Sequence, residues 1–163
     1  MKKALYALIA VLVFGVGGWF VLHPAPAAPD VAFTTLDGKT VSMSDLRGKV
    51  VLVKFWATSC VTCNKQMPDT IADYEAYSPK GFVTMAVAMS YDPPNYVQTY
   101  AHTRELPFPV ALDTQGKLAK AFGDVRLTPT AFLIDKQGHI VKRYLGEYDP
   151  VEFHAAIEKA LAG

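Results

Sequence analysis

The sequence predicts an α/β sandwich, in which a mixed central sheet has helices on both faces. Residues 50–56 and 82–89 are almost continuously apolar, as expected for strands that are covered on both sides. A helical pattern follows each of them, which is typical of parallel strands joined by helices. Residues 131–135 and 140–145 instead flank the turn pair Gln137-Gly138, which indicates an antiparallel hairpin.

The first elements are a predicted hairpin, a central strand and a long helix. Residues 31–33 and 40–43 alternate between apolar and polar side chains around Asp37-Gly38, a pair that favours a tight turn. The central strand covers residues 50–56, and the helix after it is predicted over residues 59–77.

Three helices are predicted in the second half of the chain. One begins at Asp92-Pro93-Pro94, with Asp92 or a neighbour as its N-cap and a proline near its first position. A short one covers residues 117–122. The last covers residues 150–161, because Asp149-Pro150-Val151-Glu152 combines an N-cap, an N-terminal proline and an acidic residue three positions after the cap. The predicted order is β-β-β-α-β-α-(α)-β-β-α.

An uncharged run of 19 residues, 4–22, follows Lys2-Lys3. As a helix it is about 28 Å long, close to the ~30 Å hydrocarbon core of a bilayer. We therefore expect a transmembrane signal anchor. The alternative is a signal peptide that is cleaved near Ala27, within the candidate site Ala25-Pro26-Ala27.

The basic residues at the start predict the orientation of such an anchor. Residues 1–3 should stay in the cytoplasm, and the remainder should be exported. Residues 23–30 are rich in proline and alanine and predict a stiff linker. Residues 31–163 then form one domain in an oxidising compartment.

The charge composition argues against a nucleic-acid partner. The chain contains sixteen Lys and Arg residues and fifteen Asp and Glu residues, so its net charge is +1. The sequence shows no basic stripe and no glycine-rich phosphate loop. The four histidines are scattered along the chain and do not cluster with the cysteines, so we expect no metal site.

The only two cysteines stand in Cys60-Val61-Thr62-Cys63, directly after the predicted central strand. Disulfide exchange needs one attacking thiolate and a second thiol close enough to resolve the mixed disulfide. At a helix N-terminus, free backbone N–H groups and the helix dipole favour the thiolate of the first cysteine. We therefore predict Cys60 as the exposed nucleophile and Cys63 as the buried resolving thiol.

The segment from Phe55 to Pro68, FWATSCVTCNKQMP, resembles the active-site segment of thioredoxin-fold thiol–disulfide oxidoreductases. More narrowly, it resembles the membrane-anchored bacterial TlpA and ResA branch, and the resemblance covers residues 31–161. It implies a thioredoxin-like fold with an N-terminal β-hairpin and a central αβ insert. It also implies a cis-proline at Pro129, a substrate-binding backbone edge at Thr128, and Trp56 beside the disulfide, either as a substrate platform or as a structural residue.

Four positions are candidates for redox tuning. Val61 and Thr62 lie between the cysteines, where related sequences often carry proline at the second position. Gln66 stands where ResA-like proteins have a glutamate, and an amide does not titrate. Lys54 occupies a position where many thioredoxins have a buried carboxylate. If the Lys54 ammonium points inward, its charge would favour the thiolate form of the cysteines. If it reaches the end of the sheet instead, it would have no effect on the cysteines.

The resemblance implies an exported thiol–disulfide oxidoreductase in the bacterial inner membrane, with its catalytic domain in the periplasm or otherwise outside the cytoplasmic membrane. It would reduce disulfides in other exported proteins, as in cytochrome c or metal-site assembly, and take electrons from a membrane thiol-relay protein. It would need no cofactor besides the Cys60–Cys63 disulfide. The alternatives are a secreted form, a Cu(I) metallochaperone of the same fold, and a thiol peroxidase.

Overall fold

The structure is a computed structural model and describes residues 25–163. Seven strands are present in this range: β1 (Ala32–Thr34), β2 (Thr40–Ser42), β3 (Val50–Trp56), β4 (Phe82–Ala88), β5 (Val110–Leu112), β6 (Thr130–Ile134) and β7 (Ile140–Leu145). Four α-helices accompany them: α1 (Val61–Tyr77), α2 (Pro94–Thr103), α3 (Lys117–Ala121) and α4 (Pro150–Ala162).

Five strands form one mixed sheet in the order β5-β4-β3-β6-β7. The central strand β3 runs parallel to β4 and antiparallel to β6, and all seven of its residues are buried. This pairing explains the unbroken apolar pattern that predicted it, because a central strand is covered on both faces. The predicted mixed sheet is therefore confirmed.

The side chains of β3 alternate between two separate cores. Val51, Val53 and Phe55 pack with the hairpin β1–β2 and with α3 on one face. Leu52 and Trp56 face the opposite side, where α1, α2 and α4 cover the sheet. Period-two alternation in a strand sends successive side chains to opposite faces, so helices on both sides were the expected outcome and are observed.

One strand of the sheet was not predicted from the sequence. Strand β5 was missed, because a run of three apolar residues beside Pro109 is too short to show a strand pattern. It forms nevertheless because β4 pairs with it in parallel, and the end of the hairpin joins it through the bridge between Thr35 and Ala111. The last helix agrees with its prediction, with the Asp149 side chain accepting from the backbone N–H of Glu152 at 2.9 Å.

The predicted linker, residues 23–30, does not stand apart from the domain where the structure describes it. Ala27 forms a β-bridge with His139, and the carbonyl of Pro26 accepts from the N–H of Ile140 at 2.8 Å. Ala28 packs against the core. These contacts form because the edge strand β7 leaves backbone groups free, and a proline-rich segment can still offer carbonyl acceptors to them.

The predicted cytoplasmic residues 1–3 and the anchor at 4–22 lie outside the described residues. Between residues 25 and 163, no helix is both long and apolar enough to cross a membrane.

Candidate functional site

The two cysteines form a disulfide at the N-terminus of α1. Cys60 is the N-cap of this helix, and its Sγ accepts from the backbone N–H of Cys63 at 3.1 Å. Cys60 is partly exposed, whereas Cys63 is fully buried against Trp56 and Met67. Only the first sulfur is therefore accessible to another molecule, in the orientation that the sequence predicted.

The loop that leads into Cys60 is held by hydrogen bonds at Thr58. The Asn64 amide donates to the carbonyl of Thr58 at 2.9 Å. The N–H and the hydroxyl of Thr58 both donate to the carboxylate of Asp92, each at 2.6 Å. Because hydrogen bonds to a carboxylate are among the stronger ones, this contact fixes the segment just before the nucleophile.

These bonds correct the predicted role of Asp92. It does not cap α2, whose N-cap is Pro93 and makes no side-chain capping bond. The Asp92 side chain is buried and reaches 34 residues back along the chain to Thr58. A signal for this role was present, because Asp92 follows β4, whose carboxyl end lies beside that of the parallel strand β3.

The peptide bond between Thr128 and Pro129 is cis, as predicted. Thr130, the next residue, pairs with Phe55 near the end of β3, which brings the cis-proline loop to the same end of the sheet as Cys60. Within residues 25–163, no main-chain group pairs with the N–H or the carbonyl of Thr128. The Thr128 hydroxyl lies 3.3 Å from the hydroxyl of Tyr91.

Trp56 does not form a substrate platform in this structure. Its side chain is 0% exposed and packs with Cys63, Met67 and the ring of Tyr100, at a centroid distance of 5.0 Å. It contacts the disulfide through Cys63, as predicted, but it does so from the core side and is not exposed on the surface. The cause is its position on β3, where the strand alternation directs it under α1.

Lys54 points inward, so the alternative of an ammonium at the end of the sheet is wrong. Its Nζ donates to Gln66 Oε1 at 2.9 Å and to Thr70 Oγ1 at 2.7 Å, and it lies 5.5 Å from the centre of the Tyr148 ring. The side chain is 0% exposed. Burial lowers the pKa of Lys54 to about 7, against the opposing charges of Asp73 and Asp69.

The other predicted tuning residues fall into two groups. Gln66 is buried one helical turn after Cys63, and its amide oxygen is held by Lys54, so these two candidates form one unit. Val61 is 82% exposed beside the nucleophile, and Thr62 is partly buried. The structure thus brings Lys54 and Gln66 together beneath α1 and leaves Val61 on the surface.

A second polar contact lies further along α1, between the buried Asp73 and the partly exposed His154. The Asp73 carboxylate accepts a hydrogen bond from His154 Nε2 at 2.7 Å. Burial raises the pKa of Asp73, and the hydrogen bond to His154 opposes that rise. No group of three or more His, Cys, Asp or Glu side chains between residues 25 and 163 is arranged to hold a metal ion.

Comparison with known proteins settles the family. The sequence profile of the Redoxin family matches residues 24–161. The chain belongs to the Redoxin family. Among curated Redoxin relatives, the thiol–disulfide oxidoreductase ResA of Bacillus thuringiensis is 35% identical over 133 residues, which cover 81% of this chain and 75% of that protein.

Solved structures agree with the Redoxin assignment. A thioredoxin-type protein from Neisseria meningitidis superposes with a TM-score of 0.80 at 38% identity, covering 86% of this chain and 93% of that one. The exposed lipoprotein thioredoxin of Streptococcus pneumoniae gives a TM-score of 0.70 at 29% identity, covering 80% and 98%. The thioredoxin-like fold is therefore confirmed.

With this fold and its Cys60–Cys63 pair, this Redoxin protein is a thiol–disulfide oxidoreductase. Proteins of this kind work through their own cysteines and need no added cofactor. Sequence reasoning found both cysteines and the cis-proline, but it missed Asp92, Asn64 and Tyr91, which hold the loops on either side of the disulfide.

Proposed function

We propose that this protein is an exported, membrane-tethered reductase of disulfides in other exported proteins, such as those of cytochrome c or metal-site assembly. The observation that carries the proposal is the Cys60–Cys63 disulfide at a helix N-terminus, with one sulfur accessible and the other buried. This arrangement suits two-step exchange with a disulfide on a separate chain.

The reaction begins with the reduced protein. The Cys60 thiolate attacks one sulfur of the substrate disulfide, which forms a mixed disulfide and releases the other substrate sulfur as a thiolate. The Cys63 thiolate then attacks Cys60 Sγ, forms the intramolecular disulfide and releases the second substrate sulfur. Two electrons have passed to the substrate, and both released thiolates take protons from water.

The oxidised protein must then recover two electrons from outside. Cys60 and Cys63 are the only cysteines in the chain, so no internal dithiol can reduce their disulfide. An external dithiol is required, and for an exported protein we propose a membrane thiol-relay protein as its source.

The substrate main chain would bind at the backbone edge of Thr128, beside cis-Pro129. The N–H and carbonyl of Thr128, which have no main-chain partner among residues 25–163, support this role, because an extended segment can pair with such an edge. Lys54 would tune the potential. In its charged form it favours the thiolate state one helical turn away, and Gln66 holds it there.

Export and tethering are supported by the uncharged run at residues 4–22 and the basic residues before it. The docking of Pro26 and Ala27 on β7 favours retention of this segment, since cleavage near Ala27 would cut the chain where it is bonded to the domain. The alternative remains a secreted, cleaved form. Treatment of expressing cells with an external protease, followed by N-terminal sequencing of the product, distinguishes the two.

The first experiment is the reduction potential of the protein against glutathione, with Cys63→Ser as the variant that cannot close the disulfide. A value near or below that of thioredoxin, about −270 mV, supports a reductase. A value near that of disulfide-forming enzymes, about −120 mV, would show that the protein inserts disulfides instead.

A further inference from the structure

Exposed large apolar side chains concentrate around the disulfide. Among residues 25–163, five of the seven such side chains adjoin Cys60 or the cis-proline loop. They are Val61, next to Cys60; Tyr96, in the groove that begins at Thr58; Tyr91 and Leu127, at Thr128; and Leu145, which pairs with Thr130. Apolar side chains that gather in one place mark interaction surfaces, whereas single ones are ordinary.

One side of this surface is a groove of about 570 Å³ along α2. It begins at Thr58, two residues before Cys60, and ends at Arg104. Tyr96 and Tyr100 supply its aromatic wall. A groove of this size has room for one or two large side chains.

The groove is fixed relative to the nucleophile. The two hydrogen bonds from Thr58 to Asp92 tie the start of α2 to the loop before Cys60. Tyr100 packs on the buried ring of Trp56, and Val97 of the same helix is fully buried. A side chain in the groove would therefore sit at a set distance from Cys60.

The charge in the groove is positive. Arg104 is the only charged residue that lines it, and no carboxylate within residues 25–163 forms an ion pair with Arg104. Its guanidinium lies 5.7 Å from the centre of the Tyr100 ring. An occupant that brings an acidic group to this end complements the groove.

We infer that the α2 groove binds the substrate segment beside the reacting cysteine, and that it selects a large apolar or aromatic side chain against its tyrosines and an acidic side chain at its Arg104 end. This inference rests on the proposed function, since the occupant is a segment of the protein whose disulfide Cys60 attacks. Thr128 would hold the main chain of that segment, and the groove would supply the sequence preference that a backbone edge lacks.

The test measures single-turnover exchange with defined probes. Each probe is a short cysteine peptide in mixed disulfide with 2-mercaptoethanol. The first carries phenylalanine and aspartate beside the cysteine, the second replaces the phenylalanine by alanine, and the third replaces the aspartate by lysine. Bis(2-hydroxyethyl) disulfide serves as a probe with no side chains. The protein is reduced with dithiothreitol and desalted, and the second-order rate constants follow from acid quench and chromatography.

We expect the wild-type protein to react at least about fivefold faster with the first probe than with either altered peptide, which corresponds to about 1 kcal/mol. Tyr96→Ala should abolish the preference for phenylalanine, and Arg104→Glu should reverse the preference for aspartate over lysine. Val151→Ala is the matched control, because Val151 is also an exposed apolar residue but lies on α4, beside the opposite edge of the sheet. It should retain both preferences.

The outcomes separate this inference from the proposed function. Equal rates with all three peptides, or preferences that survive Tyr96→Ala and Arg104→Glu, would refute the groove while leaving exchange intact. Rate constants that fall as protein concentration rises would show that a second copy occupies the groove, which also refutes it. No reaction with the small disulfide, or a reaction that persists in Cys60→Ser, would refute the proposed function itself.

Discussion

Replacement of the buried lysine, Lys54→Met, should change how the stability of the protein depends on pH. Burial lowers the pKa of Lys54 from 10.5 to about 7 in the folded protein. Between these values the unfolded chain holds a proton at this position and the folded protein does not. Since stability rises with pH wherever the unfolded state binds more protons, Lys54 makes the wild-type free energy of unfolding rise from pH 7 towards pH 10.5.

The magnitude follows from the two pKa values. At pH 7 the depressed pKa costs the fold about 4 kcal/mol, and at pH 9 it costs about 2 kcal/mol, because each pKa unit corresponds to about 1.36 kcal/mol. Lys54→Met lacks this titration. Between pH 7 and pH 9, the free energy of unfolding of the wild-type protein should therefore rise by about 2 kcal/mol relative to that of the variant. The lost hydrogen bonds to Gln66 and Thr70 add an offset that does not depend on the titration of Lys54.

The assay is urea unfolding of the oxidised wild-type and variant proteins at both pH values, so that no cysteine titrates. Asp69 and Asp73 on α1 and His154 on α4 are present in both proteins, and most of their contribution cancels in the difference. Lys120→Met, at an exposed lysine of α3, is the control and should show no such pH dependence. A wild-type to Lys54→Met difference that is constant from pH 7 to pH 9 would contradict a desolvated ammonium beneath α1.

Three further perturbations test other parts of the structure. Cys63→Ser should accumulate a mixed disulfide through Cys60 with a protein or peptide disulfide, visible as an added mass that dithiothreitol removes, because the resolving thiol is gone. Asp92→Ala should lower the free energy of unfolding by about 2 kcal/mol in urea, since it leaves two donors of Thr58 without their acceptor. Asp73→Asn should gain stability relative to wild type as the pH rises above 3.8, the ordinary pKa of the carboxyl group, because a raised carboxyl pKa makes wild-type stability fall as the pH rises from that value.

Two of these have a matched control variant. Cys60→Ser should form no adduct, and an adduct there would mean that Cys63 is the accessible thiol. Glu147→Ala removes an exposed carboxylate that pairs with Lys65, and it should cost no more than about 1 kcal/mol. An equal loss in both variants would show that the Asp92 contacts are worth no more than an exposed ion pair. For Asp73, a variant whose difference from wild type does not change with pH would contradict the burial of that carboxyl group.

The features that the sequence predicted well are those encoded within a few residues. Cys60 and Cys63 belong to one helical turn, and the apolar run before them identifies the central strand without knowledge of its partners. The last helix likewise begins at a local cap, Asp149. Pro129 was assigned by resemblance rather than from its neighbours, since local sequence does not distinguish cis from trans.

The features that the sequence left open depend on residues that are far apart in the chain. The partner of Asp92 lies 34 positions away, and the one signal for that contact was the position of Asp92 after β4, whose carboxyl end lies beside that of β3. The direction of Lys54 depends on Gln66 and Thr70, whose polar atoms face the strand only once α1 is packed. Strand β5 owes its existence to pairing with β4, so its three residues carry no signal of their own.

The docking of residues 26–28 on the turn before β7 places the start of the described chain at the end of the sheet opposite the disulfide. That turn follows the end of β6, whereas the cis-proline loop precedes the beginning of β6. The neighbouring strand β3, with seven residues, spans the distance between the turn and the loop. At about 3.3 Å per residue, the two ends of the sheet are roughly 20 Å apart. If the N-terminal run holds the protein on a membrane, Cys60 lies at the end of the domain that is distant from the membrane. It would then be accessible to partner proteins that are dissolved in the compartment. A membrane-embedded electron donor would then have to extend a soluble portion of its own past the body of the domain to reach Cys60.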